Sequence, residues 1–323
     1  MTPDLLAGMV EEAAPRIRPF VTETPAEPVP ELFSNQDAEF FFKLENLQQT
    51  GSFKLRGASN KVLSLVPDRA ARGVIAASNG NHGLGVAAAC RRAGIAAEVY
   101  VSSQVSLEKA KRIRELGAMI RQIGEDPLEA EVAARAAAEQ EGKAFISPYN
   151  DPEVMAGQGT IAVELQKQLA RMDELFVAVG GGGLIGGIGA YMKRVSPQTR
   201  IIGCWPENSR VLYESIRAGR IVDFPEQPTL SESTAGGLEP GSVTLDICRS
   251  VIDDAVMVSE QEILDAMKRV RDARGWTIEG AAGVAVAACL KEASHYQGKR
   301  VVVVICGGNL SPRVLRRLEE VTA

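Results

Sequence analysis

Only two histidines, His82 and His295, stand in 323 residues, and the five cysteines (Cys90, Cys204, Cys248, Cys289, Cys306) are scattered and odd in number. No C-x-x-C pair or Cys/His spacing suits zinc, and no framework of disulfides is implied. The cysteines read as reduced thiols of a reducing compartment, which points to the cytoplasm. No apolar run approaches the ~18 residues that span a bilayer. The first twenty residues carry acids inside their apolar stretch and so fail as a secretory signal. With Lys+Arg at 36 against Asp+Glu at 41, the net charge is −5, and no run of like charges would track a phosphate backbone or an anionic lipid. Neither nucleic acid nor membrane is expected as a partner. Internal repeats and low-complexity linkers are missing as well.

What is present can build a large packed core. Hydrophobic residues make up 45% and charged residues 24%, which leaves no compositional ground for disorder. The length suits one large or two medium domains, at ~100–200 residues per domain. Short apolar runs at 73–77, 97–101, 175–179, 200–204 and 301–305 alternate with helical patterns, among them 107–116, 259–273 and 280–291. That alternation implies an α/β fold of parallel sheets with crossover helices, where ligands gather beyond the carboxyl ends of strands. Three Gly/Asn clusters directly follow such strands, so three loops are expected to converge on one cleft.

The first cluster is Gly180-Gly181-Gly182-Gly183-Leu184, between a strand and a helix. Four glycines contribute no side-chain packing, so something is expected to approach the main chain closely. Their N–H groups, joined to those of the following helix, would suit a phosphate dianion. A helix packed tightly on the sheet would explain the same glycines. So would a dinucleotide fingerprint, because Gly181, Gly183 and Gly186 satisfy G-x-G-x-x-G and Glu207 lies where a ribose-binding acid is sought.

The second cluster is Thr50-Gly51-Ser52-Phe53-Lys54-Leu55-Arg56-Gly57. Lys54, flanked by Phe53 and Leu55 with Ser52 placed to cap a helix, would be partly desolvated; burial disfavours the charged amine and frees it to attack a carbonyl. A solvated surface lysine is the plainer reading of that residue alone. The third is Ser78-Asn79-Gly80-Asn81-His82-Gly83, which leads into a helix of small residues expected from Leu84 to Cys90 and would aim several N–H groups at a carboxylate; a satisfied turn is the alternative. His82 reads as structural before catalytic, and His295 as a surface residue. Cys306-Gly307-Gly308-Asn309 and Glu279 each set one polar group beside small residues, as a flat aromatic ligand requires.

In this order and spacing, from about Glu45 to Asn309, these segments resemble the fold type II pyridoxal-phosphate enzymes, in the serine/threonine dehydratase and serine racemase branch. The resemblance implies two domains of the tryptophan synthase β kind, each a mainly parallel sheet flanked by helices. Residues 1–72 and 150–323 would form the larger, cofactor-binding domain and 73–149 the smaller, mobile one. Pyridoxal 5'-phosphate would be held by Lys54 as a Schiff base, with Phe53 beside its ring. Gly180, Gly181, Gly182, Gly183 and Leu184 would bind the phosphate, Asn81 the ring hydroxyl, and Cys306 would face the ring nitrogen with Glu279 nearby. Ser78, Asn79, Gly80, Asn81 and His82 would take the substrate carboxylate. The implied activity is that of an ammonia-lyase, converting a small β-hydroxy amino acid to a 2-oxo acid and ammonia, in a homodimer. A racemase or β-replacement enzyme of the same fold is the alternative. From other classes stand a nicotinamide-dependent oxidoreductase and a non-catalytic ligand-binding protein.

The pattern is departed from in places. Asn79 stands where racemases of this branch carry a serine that protonates the opposite face of the α-carbon, and an amide cannot relay that proton. In Cys204-Trp205-Pro206-Glu207-Asn208-Ser209-Arg210-Val211, Trp205 and Val211 replace acids that bind a divalent cation in metal-activated members, so no metal is expected, although Glu207 would restore one ligand. The segment Ser231-Glu232-Ser233-Thr234-Ala235-Gly236-Gly237-Leu238-Glu239-Pro240 is unlike the usual Ala-Asp-Gly version and is expected to border the substrate side chain. Beyond Asn309 only a helix-like 311–323 remains, so no regulatory domain and no feedback by isoleucine is expected.

Overall fold

A computed structural model describes residues 1–34 and 37–320. The chain opens with α1 (Pro3–Ile17), β1 (Ala26–Pro28), β2 (Glu39–Leu44), α2 (Lys54–Leu63) and α3 (Pro67–Arg72). Strands and helices then alternate through β3 (Val74–Ala77), α4 (Asn81–Ala93), β4 (Ala97–Val101), α5 (Leu107–Glu115), β5 (Met119–Gln122), α6 (Pro127–Glu141) and β6 (Ala144–Phe145). Next come α7 (Pro152–Gln168), β7 (Glu174–Ala178), α8 (Gly183–Val195), β8 (Arg200–Pro206), α9 (Val211–Ala218) and α10 (Thr244–Val251). The chain ends in β9 (Asp254–Val258), α11 (Glu260–Arg274), α12 (Gly280–Glu292), β10 (Arg300–Ile305) and α13 (Pro312–Glu320). Of the helix expected at 311–323, the last three residues lie outside the described part.

Two sheets result. The larger runs β1-β2-β10-β7-β8-β9, parallel except for β1, and the smaller runs β5-β4-β3-β6, parallel throughout. β10 reads Arg-Val-Val-Val-Val-Ile without polar alternation because it is covered on both faces, and Val301 to Ile305 are fully buried. The helix α12, built of Ala, Val and Gly, is narrow enough to lie against that sheet with nearly every residue buried.

The helix α2 is shared ground. Its Leu55, Ala58 and Val62 join the apolar cluster of the smaller sheet, together with Val154 of α7. On its other side it presses on α7: a Cβ on Gly57 would lie 2.7 Å from the Val154 carbonyl oxygen, and one on Gly157 would lie 2.6 Å from the Arg56 carbonyl oxygen. Glycine at both positions lets the two backbones touch.

Two local readings need correction. Ser52 does not cap α2: Phe53 occupies the cap position without a side-chain bond, and the Ser52 hydroxyl is buried with no partner among the described residues. The cause is the path of the chain, because Ser52 bridges Gly307 and the Phe53 N–H donates to the Cys306 carbonyl at 3.0 Å, so α2 starts from the end of β10. The helix of the third cluster begins at Asn81, one turn earlier than the apolar pattern marks, and the Leu84 N–H donates to Gly80.

Candidate active site

A cavity of about 750 Å³ opens where the carboxyl ends of β3, β7 and β10 meet, and all three Gly/Asn loops line it together with Lys54. Lys54 is the first residue of α2. Its amine donates to the Pro148 carbonyl at 2.8 Å and lies 5.1 Å from the centre of the Phe53 ring. Burial draws its pKa down to about 8, against the opposing pull of Glu279 and Cys306.

The strand β7 delivers Gly180, Gly181, Gly182 and Gly183 into the first turn of α8, and Gly182 sits at φ +87°. The chain itself fills the side-chain direction at each position. A Cβ at Gly181 would lie 2.6 Å from the Tyr149 ring edge, at Gly183 2.9 Å from the Tyr149 Cα, at Gly180 2.8 Å from the Thr234 Cα, and at Gly182 2.7 Å from the Cys248 sulfur. Tight packing therefore accounts for the absent side chains. The N–H groups are a separate matter: from Gly180 to Ile185 they find no acceptor among the described residues, and the first helical bond runs from Gly186 to Gly182. Free donors at a helix start, with Leu184 closing the wall, favour a multiply charged anion.

The third loop is held from behind. The Asn79 amide donates to the Ser102 hydroxyl at 2.7 Å and accepts from the Ser102 N–H at 2.9 Å, so both ends of the side chain are engaged. The Ser78 hydroxyl accepts from the Gly80 N–H at 3.0 Å, and space is open around the Gly80 Cα. His82 is 3% exposed, its Nε2–H donating to the Ile146 carbonyl at 2.8 Å, with Nδ1 unpartnered. Burial, with the Lys54 charge, lowers its pKa to about 3 despite that bond. A neutral, fastened imidazole agrees with the structural reading.

Asn81 stands at a junction. Its amide donates to the Glu279 carboxylate at 2.8 Å and accepts from the Asn309 amide at 2.8 Å, while Asn309 accepts from Arg112 at 3.1 Å. Burial pushes the Glu279 carboxyl up, and the bonds from Asn81 and from Ser233 (2.8 Å) with the charge of Lys109 draw it back. The Cys306 thiol, buried beside Glu279, is held well above the ordinary thiol range by burial and by that carboxylate. It lines the cavity as a neutral group.

Some lining groups have individual roles that the sequence does not single out. Tyr149 seals the glycine turn, and its hydroxyl accepts from the Glu239 N–H at 2.9 Å. The Glu239 carboxylate accepts from Asn150 at 2.9 Å and pairs with Arg135 of α6 at 2.7 Å, which ties the 231–240 segment to the smaller sheet. Among the described residues no group of three or more metal-ligating side chains forms; Glu207 is exposed and both Trp205 and Val211 are buried. No helix of the described residues is long and apolar enough to cross a membrane.

Comparison with known proteins accords with this geometry. The pattern of the pyridoxal-phosphate dependent enzyme family matches residues 17–307. The chain is 40% identical over 280 residues to an L-threonine ammonia-lyase of Thermotoga maritima, covering 87% of this chain and 69% of that one. It is 37% identical over 286 residues to the catabolic L-threonine dehydratase of Escherichia coli K12, covering 88% and 86%. The processed form of threonine deaminase isoform 2 from Solanum lycopersicum superposes with a TM-score of 0.93 at 31% identity, covering 99% of this chain and 94% of that one. The oxidoreductase reading falls away, and Gly186 owes its place to Met155, 2.7 Å from where a Cβ would stand. A lysine amine in a cleft, a donor-rich glycine turn and this likeness along most of the chain place it among the pyridoxal-phosphate dependent enzymes, as a fold type II lyase of the dehydratase class with pyridoxal phosphate as cofactor.

Proposed function

We propose that the chain is an ammonia-lyase for a small β-hydroxy amino acid of the serine or threonine kind, and that Lys54 is its catalytic residue. The residues fit the cofactor: the unpaired N–H groups of the glycine turn, walled by Leu184, suit its phosphate, and the Lys54 amine opens into the same cavity. When bound, pyridoxal phosphate supplies an aldehyde that takes up an amine and a conjugated ring that spreads negative charge from the α-carbon.

The protein's own groups do the rest. Lys54, with its lowered pKa, removes the α-proton. Phe53 would flank the cofactor, and the second amide hydrogen of Asn81, the first being given to Glu279, would be left for the ring hydroxyl. Cys306, a neutral thiol, would stand toward the ring nitrogen and would not draw a proton onto it, while Glu279 is kept aside by Asn81 and Ser233. A weak electron sink favours prompt loss of the β-hydroxyl. The loop of Ser78, Asn79, Gly80, Asn81 and His82 would hold the substrate carboxylate on the N–H groups of Asn79, Asn81 and His82, since those of Ser78 and Gly80 already donate to the Tyr100 carbonyl and the Ser78 hydroxyl. Water lost at the β-carbon is returned when the carbon–nitrogen bond is hydrolysed, so the balance is one amino acid to one 2-oxo acid and one ammonia.

The observation that carries elimination over racemisation is Asn79. Its amide is fastened at both ends to Ser102, and an amide N–H is no acid near neutral pH, so it relays no proton to the far face of the α-carbon. The smaller sheet, confined to residues 74–145, supports a division into 1–72 with 150–323 and a mobile 73–149; a cytoplasmic homodimer belongs to the same reading, and sedimentation checks the dimer. The test is a panel of L-serine, L-threonine and bulkier β-hydroxy amino acids scored by 2-oxo acid release. Release with no D-isomer formed is the expected result, and racemisation as the faster reaction sinks the reading. Lys54→Ala should abolish turnover.

A further inference from the structure

On the far side of α2 from the cavity lies a buried set of charges that the reaction does not use. Arg56 follows Lys54 by two residues, about 200° round the helix, and its side chain is wholly buried. Its guanidinium makes two forks. Nε and Nη2 donate to the two oxygens of Glu45 at 2.7 and 2.8 Å, and Nη1 and Nη2 donate to the two oxygens of Glu164 at 2.6 and 2.8 Å. Nη1 also reaches the Thr160 hydroxyl at 3.2 Å. Lys43 completes the set, donating to Glu164 at 2.6 Å, the Thr24 carbonyl at 2.5 Å and Gln168 at 3.1 Å. Two cations meet two carboxylates, and the donors of both cations are satisfied.

Such a set adds little stability over an apolar filling of the same volume, because desolvation offsets most of the attraction. It does fix geometry, since a planar fork tolerates little rotation. The first turn of α2 has need of that, as no side chain caps it. Glu45 follows β2 and Glu164 belongs to α7, so the forks tie this turn to two separate parts of the larger sheet's framework.

We propose that Arg56 is a positioning residue: its double fork to Glu45 and Glu164 fixes the height and rotation of the first turn of α2, and so the point at which Lys54 presents its amine. The proposal rests on Lys54 being the cofactor lysine, and the test separates the two.

Cofactor-free protein is mixed with pyridoxal phosphate, capture is followed by visible absorbance, and the borohydride-reduced adduct is mapped. Arg56→Lys keeps the charge but cannot make two forks. Lys43→Met removes the other buried cation of the set and keeps both Arg56 forks. Both should lose thermal stability. Arg56→Lys should slow capture at Lys54 about tenfold or more and spread the label to other lysines, while Lys43→Met stays within about threefold of the parent. Should Arg56→Lys not fold, Glu45→Gln, which breaks one fork, serves in its place with the same expected slowing. Capture that follows melting temperature equally in all variants, or that is unchanged in the fork variant, overturns the proposal. Failure of the parent protein itself to capture at Lys54 instead overturns the assignment of the lysine.

Discussion

The depressed pKa of Lys54 can be tested before any substrate is known. An ordinary lysine at 10.5 is about 0.03% unprotonated at pH 7, whereas one at about 8 is about 9% unprotonated, so Lys54 should present roughly 300 times more free amine. The assay is the initial rate of pyridoxal phosphate capture by cofactor-free protein between pH 6 and 10. The same rate with Nα-acetyl-lysine cancels the cofactor's own titration. The ratio of protein to model amine should be largest below pH 8 and fall as pH rises toward 10.5, where both amines are free. Glu279→Gln removes a charge that favours the ammonium, and should move the protein's midpoint below 8. A linkage consequence follows. With the folded pKa below the unfolded one, the unfolded chain binds the extra proton between about 8 and 10.5, so this lysine's burden on the apo-fold is full below 8 and relieved as pH climbs through that window. Buried thiols run the other way, Cys90 and Cys248 being pushed up to about 12 by burial, so the effect must be read as the difference from a Lys54→Met variant. A capture midpoint within half a unit of the free lysine would refute the argument that this amine is desolvated.

Three further outcomes are expected. Gly181→Ala drives a methyl into the Tyr149 ring, whose hydroxyl is held by Glu239; overpacking of about 1–3 kcal/mol should lower the melting temperature, and cofactor retention on dialysis should fall with it. Asn79→Ala strands the Ser102 N–H, costing roughly 1–3 kcal/mol, and should raise KM more than it lowers kcat by loosening the carboxylate-binding loop; an unchanged KM counts against that role. Chelator treatment should leave the rate within twofold, and loss of activity restored by magnesium would show a cation site that the 204–211 segment does not suggest.

Strands and glycine loops were legible because each reports local chemistry. The valine run of β10 and the bare turn after β7 mean much the same wherever they occur, and the rule that ligands sit beyond strand ends brings them together. What stayed hidden depends on closure between distant segments. Arg56, two residues beyond Lys54, has no visible role in the sequence until Glu45 and Glu164, 11 and 108 residues away, are folded onto it. Tyr149 explains the missing Cβ at Gly181 and Gly183; Ser147-Pro148-Tyr149-Asn150-Asp151 resembles the family, but the resemblance gives that tyrosine no such packing role. The Ser52 cap failed for the same reason, since a serine before a helix caps it only where the chain is free to turn, and here the Gly307 bridge sets the path.

The glycine turn shows how two explanations of one motif can both hold. Packing removes the side chains, because Tyr149, Thr234 and Cys248 occupy every Cβ direction, and this would be so in a protein that bound nothing. Packing does not explain why the N–H groups from Gly180 to Ile185 have no acceptor among the described residues at the edge of a cavity, where water alone would be a poor substitute for a fixed dianion. If the ligand reading is right, added inorganic phosphate should compete with pyridoxal phosphate for the cofactor-free protein and slow its capture, while leaving the melting temperature of Gly181→Ala far less raised than that of the parent. If phosphate stabilises both proteins equally, the donors are bystanders and the glycines serve packing alone.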